Sequence, residues 1–390
     1  LWTWCGIHGS LPPTSPLKAA LVDEVRRHAG YLRANLETDV GGNHLIKDLK
    51  SLIGAGVFLD DDHLREWASG RLIDQVRVQV LSDGGHYERS PSYHGQVLGD
   101  LIDVCELLRS AGFPPAGELL VAVEAMRAWL AALIGPDGDV PVFNDGFALG
   151  DELDVLGAGR ASGVERLQWM AASGYVVVRP RPDVQVVIDV GLPCPDELPA
   201  HAHADCLSFE LVVGDSRRIV DAGTSEYGAT DRRAYERSTA AHNTVEVDGE
   251  NQTEVWGAFR AARRARPTVL EVDESGDAVI VDVEHDGYAH LSGAPIHRRR
   301  MTVRSESIEI VDTVRGYGAH RVVSRLREAH LGNSTRGEQD SHLVELSAEG
   351  SVDHLEESWT RTFGVLAPAT VHEQQREEKL PISLEWSIEY

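Results

Sequence analysis

The chain is 390 residues long, 42% hydrophobic and 25% charged, with a formal net charge of −25. That length accommodates two domains, and so acidic a balance disfavours nucleic acid or an anionic membrane as partner, because both reward basic surfaces. No apolar run approaches the roughly 18 residues of a membrane span, and the opening LWTWCGIHGSLPPTSP carries no charged-then-apolar leader.

Residues 17 to about 135 repeat apolar side chains at helical spacing. Leu17, Leu21, Val25, Ala29, Leu32 and Leu36 line one face, with Pro16 just before the start. Further helices are expected over LIKDLKSLIGAGVFL, DDHLREWASGRLIDQVRVQV, GQVLGDLIDVCELLRSAG and GELLVAVEAMRAWLAALIG. Gly112 and the Gly135-Pro136 pair stop the last two. Similar lengths and short connections predict successive α-hairpins.

Beyond about residue 170 the period becomes two. GYVVVRP, VQVVIDVG, LSFELVVGDSRRIVDAG, HNTVEVDGEN, AVIVDVEHDG, HRRRMTVRSESIEIVDTV and RVVSRLREAHL read as strands separated by Gly-Asp, Asp-Gly and Pro turns. So many consecutive strands predict an antiparallel β-sandwich. The change is expected within GAGRASGVERLQWM, which divides the chain into a helical part over 1–160 and a sandwich over 165–390.

Three polar clusters interrupt these patterns. In GGNHLIKD, two glycines break the chain and Asn43 and His44 stand at the mouth of a helix, where an N-cap role would suffice for the asparagine. DGGHYERSPSYHGQ, read as a loop between helices, carries His86, Tyr87, Glu88, Arg89, Tyr93 and His94. Two tyrosines and two histidines so close together suggest acid–base work, provided the site tunes the phenol. The third cluster runs from HAHADCLSFELVV to YERSTAAHNTVEVDG. His201 and His203 alternate there in a possible strand, and Asp221 and His242 lie on the segments that follow. Such a set suits Zn²⁺, whereas two histidines alone would be ordinary hairpin surface.

The stretches GGNH, ERSPSYH, HAHADCLSFEL, RIVDAGTSEY and RSTAAHNTVEVDGENQ together resemble the heparinase II/III-like polysaccharide lyases, a group that includes alginate and oligoalginate lyases. The likeness runs from about residue 17 to about 330. It implies an (α/α) toroid followed by an antiparallel β-sandwich, with the chain's start falling inside the toroid. It also implies β-elimination of a uronic-acid polysaccharide, in which donors neutralise the sugar carboxylate so that the adjacent carbon becomes acidic. By resemblance Asn43 and His44 are those donors. Tyr93 protonates the leaving oxygen, and in some members also takes the proton, while His201 is a second base. His203, Asp221 and His242 match ligands of a structural zinc ion. Arg89, Arg232, Arg233 and Arg237 are candidates for substrate carboxylates, each otherwise a solvated arginine. The family favours a periplasmic or secreted setting, and oligomeric state is not legible.

Two other readings compete. HAHAD is similar to the H-x-H-x-D-H signature of metallo-β-lactamase-like hydrolases, but position 206 is cysteine and the helical half does not suit that αββα fold. A catalytically inactive protein that binds carbohydrate or assembles surface polysaccharide would keep the same fold. Cys5, Cys105, Cys194 and Cys206 form no C-x-x-C pair, so free or buried thiols are expected.

Overall fold

Helical spacing in the first third of the chain folds as helices. The computed structural model describes residues 2–160, 165–330 and 345–390. An unanticipated α1 (Trp2–Ser10) precedes α2 (Leu17–Ala34), α3 (Gly42–Leu59), α4 (Asp62–Gln79), α5 (Pro91–Ser110), α6 (Gly117–Leu133) and the short α7 (Glu152–Leu156). Asp61 caps α4 by accepting from Leu64 N at 3.0 Å, and α3 ends on Asp60 in the left-handed region. The two helices then fold back on each other at close range. A Cβ on Gly56 would lie 2.7 Å from Arg65 N, so a small residue is needed where they cross. α3 packs on α2, α4 and α5, and α5 packs on α6.

One boundary differs from expectation. The helix expected from Gly95 begins at Pro91, whose fixed φ suits a first helical position. Tyr93 and His94 are therefore on the first turn of α5, not in a loop.

The strands run as β1 (Leu167–Met170), β2 (Tyr175–Val178), β3 (Val184–Asp189), β4 (Phe209–Val213) and β5 (Ser216–Ile219). After α8 (Asp231–Glu236) come β6 (Val245–Val247), β7 (Val255–Trp256), β8 (Arg260–Ala261), β9 (Pro267–Ser275) and β10 (Ala278–His285). Next follow β11 (Ile296–Val303), β12 (Ser307–Arg315), β13 (Ala319–Ala329) and β14 (Glu345–Ala348). β15 (Val352–Trp359), β16 (Ala367–Lys379) and β17 (Ile382–Glu389) complete the chain. Among the described residues one sheet is ordered β1-β2-β3-β4-β5-β13-β16-β15, with β6 beside β13, and a second is ordered β14-β17-β12-β11-β10-β9. Strand pairing among the described residues is antiparallel, for example Val187 opposite Glu210 and Arg299 opposite Asp312.

The sheets meet over Val186, Ile188, Phe209, Leu211, Val281, Met301, Ile310 and Trp386. β2, β3 and β4 are buried along their whole length, which explains their continuous apolar runs. Successive residues serve different cores: Val176 and Val178 face the second sheet, whereas Val177 packs with the helices. The first sheet is thus covered on both sides. Gln185 Nε2 donates to Leu133 O at 2.9 Å and Val142 N to Glu210 Oε1 at 3.1 Å, tying the helical part to the sheet. The expected order, helices and then antiparallel sheets, holds. Part of the segment expected to divide them, residues 161–164, lies outside the described residues.

Candidate active site

Gly41 and Gly42 turn the chain into α3 with φ of 69° and 55°. A Cβ on Gly42 would stand 2.0 Å from Glu88 Oε1 and 2.6 Å from Leu198 Cδ2, so glycine is required by the crowding. Asn43 is not the N-cap: Gly41 is, and Asn43 lies inside the first turn. The open N–H groups of that turn are satisfied from the loop before α5. Gly42 N donates to Tyr87 OH at 3.0 Å, and Asn43 N to Glu88 Oε1 at 2.7 Å. The Asn43 amide also donates to Glu88 Oε2 at 3.0 Å. A carboxylate at this helix end is favoured by the backbone dipoles. Burial acts to raise the Glu88 carboxyl, but nearby His86 and His201 and the bonds from Asn43 hold it below the ordinary range.

Asp145 is the hub opposite. His201 Nδ1 lies 2.9 Å from Asp145 Oδ2, and His203 Nε2 lies 2.9 Å from Asp145 Oδ1. Arg233 Nη2 donates to Oδ2 at 2.8 Å, and Thr224 Oγ1 to Oδ1 at 3.3 Å. Burial would raise this carboxyl; the two histidine bonds outweigh it and hold it well below the usual range. Because an ionised Asp145 only accepts, His201 carries its proton on Nδ1 and His203 on Nε2. The other ring nitrogen of His201 is 3.4 Å from Glu88 Oε2.

Both histidines reach one aspartate because residues 201–208 are not a strand. β4 starts only at Phe209, and the irregular segment before it lets His201 and His203 approach Asp145 from two directions. This corrects the expected alternation.

Tyr93, carried by α5, lies against His201 with ring centroids 3.8 Å apart, and its hydroxyl is 2.9 Å from Tyr227 OH. Burial raises its pKa, opposed by the Tyr227 hydrogen bond, so the phenol keeps its proton at neutral pH. His86 and His94 support this turn from behind. His94 Nε2 donates to Met126 O at 2.9 Å and the ring stacks on Trp129, and burial lowers His86 to about 4 and His94 to about 3.

The expected zinc ligands are close to one another. His242 Nδ1 is 2.7 Å from Asp221 Oδ2, and the His203 and His242 rings are 5.4 Å apart. His203 Nδ1, His242 Nε2 and both oxygens of Asp205 are buried without a hydrogen-bond partner. Two imidazole lone pairs oriented by carboxylates, beside an unsatisfied carboxylate, are a donor set that suits zinc. Among the described residues no three such side chains already close around a common point; the set is assembled in pairs.

The remaining sequence candidates are engaged with other groups of the protein, and of them Arg233 reaches Asp145. His44 is exposed and paired with Glu37 Oε2 at 2.8 Å, apart from the Tyr93–His201 contact. Arg89 Nη1 donates to Leu192 O at 2.8 Å. Arg232 Nε donates to Glu236 Oε1 at 2.7 Å. Arg233 and Arg237 are fully buried, the first on Asp145 and the second on the carbonyls of Ala202, Gly257 and Arg260. These two guanidinium groups are committed to the frame.

Asp145, Asn144, Glu88 and Tyr227 are the functional neighbours that sequence reasoning did not single out for these contacts. Asn144, at φ 57°, accepts from His203 N through Oδ1 at 3.1 Å. The signal available was FNDG, a polar turn between apolar runs, and the tyrosine ending GTSEY.

Comparison with known proteins identifies the family and the fold. Residues 14–153 match the model for the heparinase II/III N-terminus and residues 163–380 the model for the heparinase II/III-like C-terminal region. FtsZ-localized protein C of Caulobacter vibrioides is 29% identical over 239 residues, covering 59% of this chain and 40% of that protein. A heparin-sulfate lyase of Bacteroides stercoris is 26% identical over 354 residues, covering 80% of this chain and 49% of the lyase. The chain therefore spans half or less of the length of these two relatives. A crystal structure of heparinase III superposes with a TM-score of 0.77 at 17% identity, over 95% of this chain and 64% of that one. The metallo-β-lactamase-like reading is set aside by these matches and by the order of helices and sheets. The chain belongs to the heparinase II/III-like family.

Proposed function

We propose that this chain is a polysaccharide lyase that cleaves a uronic-acid glycan by β-elimination. The observation that carries the reading is the close packing of Tyr93 against His201, with His201 oriented by Asp145 and facing Glu88. The heparin-sulfate lyases among its relatives support an acidic glycan of that class.

The Asn43 amide, which donates to both oxygens of Glu88, turns one of those hydrogens to the substrate carboxylate and thereby stabilises charge developing on its oxygens. An imidazole with its proton fixed on Nδ1 takes the proton from the carbon beside the carboxylate. The electron pair left on that carbon forms the new double bond as the glycosidic C–O bond breaks. Tyr93, still protonated, gives its proton to the departing oxygen. His201 then carries positive charge between Asp145 and Glu88, two carboxylates that stabilise it. His44 remains a candidate second donor from the outer side of the same turn.

A zinc ion would be held by His203, Asp221 and His242, with Asp205 adding negative charge to the same buried pocket. Its contribution would be structural, tying the irregular 201–208 segment to the chain just after β5 and just before β6.

The test is ultraviolet absorbance of unsaturated uronates across heparan sulfate, hyaluronan, chondroitin, alginate and polyglucuronate. New absorbance with any one supports the lyase and names its glycan class. Silence across all five, from protein that is folded and metal-loaded, overturns the reading in favour of a non-catalytic carbohydrate-binding role.

A further inference from the structure

Tyr227 is a meeting point for aromatic side chains from separate loops. Its hydroxyl bonds Tyr93, while its ring faces Phe363 with centroids 4.9 Å apart and Phe259 at 5.7 Å. Phe259 lies between β7 and β8, and Phe363 between β15 and β16. Among the described residues these are the two exposed phenylalanines, at 42% and 44%, and both meet Tyr227. Burying a phenyl side chain is worth roughly 1.5–3 kcal/mol, so leaving two together in water is costly unless something covers them.

The exposure is built into the fold. At the root of the Phe363 loop, Thr360 N donates to Ala222 O at 2.8 Å and Ala148 N to Arg361 O at 2.7 Å. Arg361 is also paired with Asp137 at 3.2 Å. On the other side Arg233 has its guanidinium carbon 5.3 Å from the Tyr227 ring and 5.7 Å from Phe259. The same arginine that grips Asp145 therefore holds two of the three rings.

We propose that Phe259, Tyr227 and Phe363 form a stacking subsite for one pyranose ring of the substrate chain, the sugar adjoining the bond on which Tyr93 and His201 act. This rests on the lyase reading above. The occupant follows from chemistry and continuity. The C–H face of a pyranose is apolar and weakly positive, which suits the negative face of an aromatic ring. Tyr227 joins the subsite to Tyr93 by one hydrogen bond, so a sugar on the platform lies next to the reacting bond. A ring that turned a carboxylate or sulfate towards these faces would be repelled.

The experiment measures binding of heparan sulfate, unsulfated glucuronate–glucosamine and alginate octasaccharides by calorimetry to protein carrying Tyr93→Phe. Turnover of the same sugars by the unmutated enzyme is followed by absorbance. Phe363→Ala and Phe259→Ala are each expected to weaken binding roughly tenfold, the change that about 1.4 kcal/mol produces. Both are expected to raise KM far more than they lower kcat. Phe363→Tyr should restore binding to within about twofold, whereas Phe363→Leu, apolar but without a ring face, should not. Tyr317→Ala, at an aromatic that is 82% exposed in the turn after β12, is the control and should change nothing. Unchanged affinity in both alanine variants, or equal rescue by leucine, overturns the platform. Binding without unsaturated product overturns the lyase reading alone, and the variants still decide the platform. Binding of none of the octasaccharides overturns both.

Discussion

Two buried aspartates in this molecule are gripped in nearly the same way, yet only one borders the candidate active site. Asp312, on β12, accepts from Arg299 Nε and Nη2 at 2.7 Å each, from Ser324 Oγ at 2.8 Å, and lies 2.9 Å from His297 Nε2. Arg299 is its cross-strand partner, and the second nitrogen of His297 meets His285 at 3.1 Å. Every group is satisfied inside the sandwich. Asp145 also has histidine and arginine partners, but they arrive from the irregular 201–208 segment and from α8, and they leave work undone. His203 Nδ1 has no partner, and His201 turns its ring to Tyr93 and its second nitrogen to Glu88. A histidine–aspartate–arginine set is therefore not a site in itself. What separates the two is whether the imidazoles keep a lone pair that nothing else uses.

The largest effect is expected from Tyr93→Phe, which removes the proton donor while keeping the ring. Turnover should fall by roughly 10³-fold or more with little change in melting temperature; initial rates that stay near the parent's would remove Tyr93 from the mechanism. Next come Asp145→Asn and Asp312→Asn as a pair. Each leaves a buried arginine without its full counter-charge, at a cost of about 3–5 kcal/mol in denaturant melts. Only Asp145→Asn should also cut kcat, by roughly 10²-fold, because it lets His201 change tautomer. Equal kcat losses in the two folded variants would erase the distinction drawn between the aspartates.

A smaller effect concerns the imidazoles behind the site. His86 at about 4 and His94 at about 3 hold a proton less readily when folded than the ordinary value near 6.5. The unfolded chain is thus the first to gain protons as pH falls. Stability from these groups is complete above about pH 6.5 and drains as pH falls through the folded values, by up to about 3 kcal/mol for His86. Chemical denaturation at a series of pH values reads this directly, and a level curve between pH 6.5 and 4 would contradict it. Last, His203→Ala should lower zinc content and melting temperature together, with about 2.7 kcal/mol at stake if free zinc is near 100 times its Kd. An unchanged zinc stoichiometry would sink the ligand assignment.

How much of this was legible depended on distance along the chain. Val25 and Ala29 recur at helical spacing and Ile308 and Ile310 at strand spacing, and each pattern is complete within a few residues. The chemical side chains Asn43, Tyr93, His201, His203, Asp221 and His242 were visible as polar residues that the local pattern did not require. Their grouping was carried by a family resemblance. Arg233 and Arg237 are buried for a reason that sequence does not carry: a charged side chain reads as exposed until a buried carboxylate or a row of carbonyls is seen to receive it. In sequence an N-cap role would suffice for Asn43, because nothing nearby announces that Glu88, 45 positions on, receives its N–H.

Periodicity, turn residues and composition alone determined that helices precede antiparallel strands, that the chain is acidic, and which polar residues stand out from their surroundings. Only the tertiary structure decided that Asp145 joins His201 across 56 residues, that Tyr227 joins Tyr93 across 134, and that the segment opening with His201 is not a strand. Secondary structure is set by each residue's near neighbours. Burial, tautomer and hydrogen-bond partners are set by groups that meet only when the sheet packs against the helices.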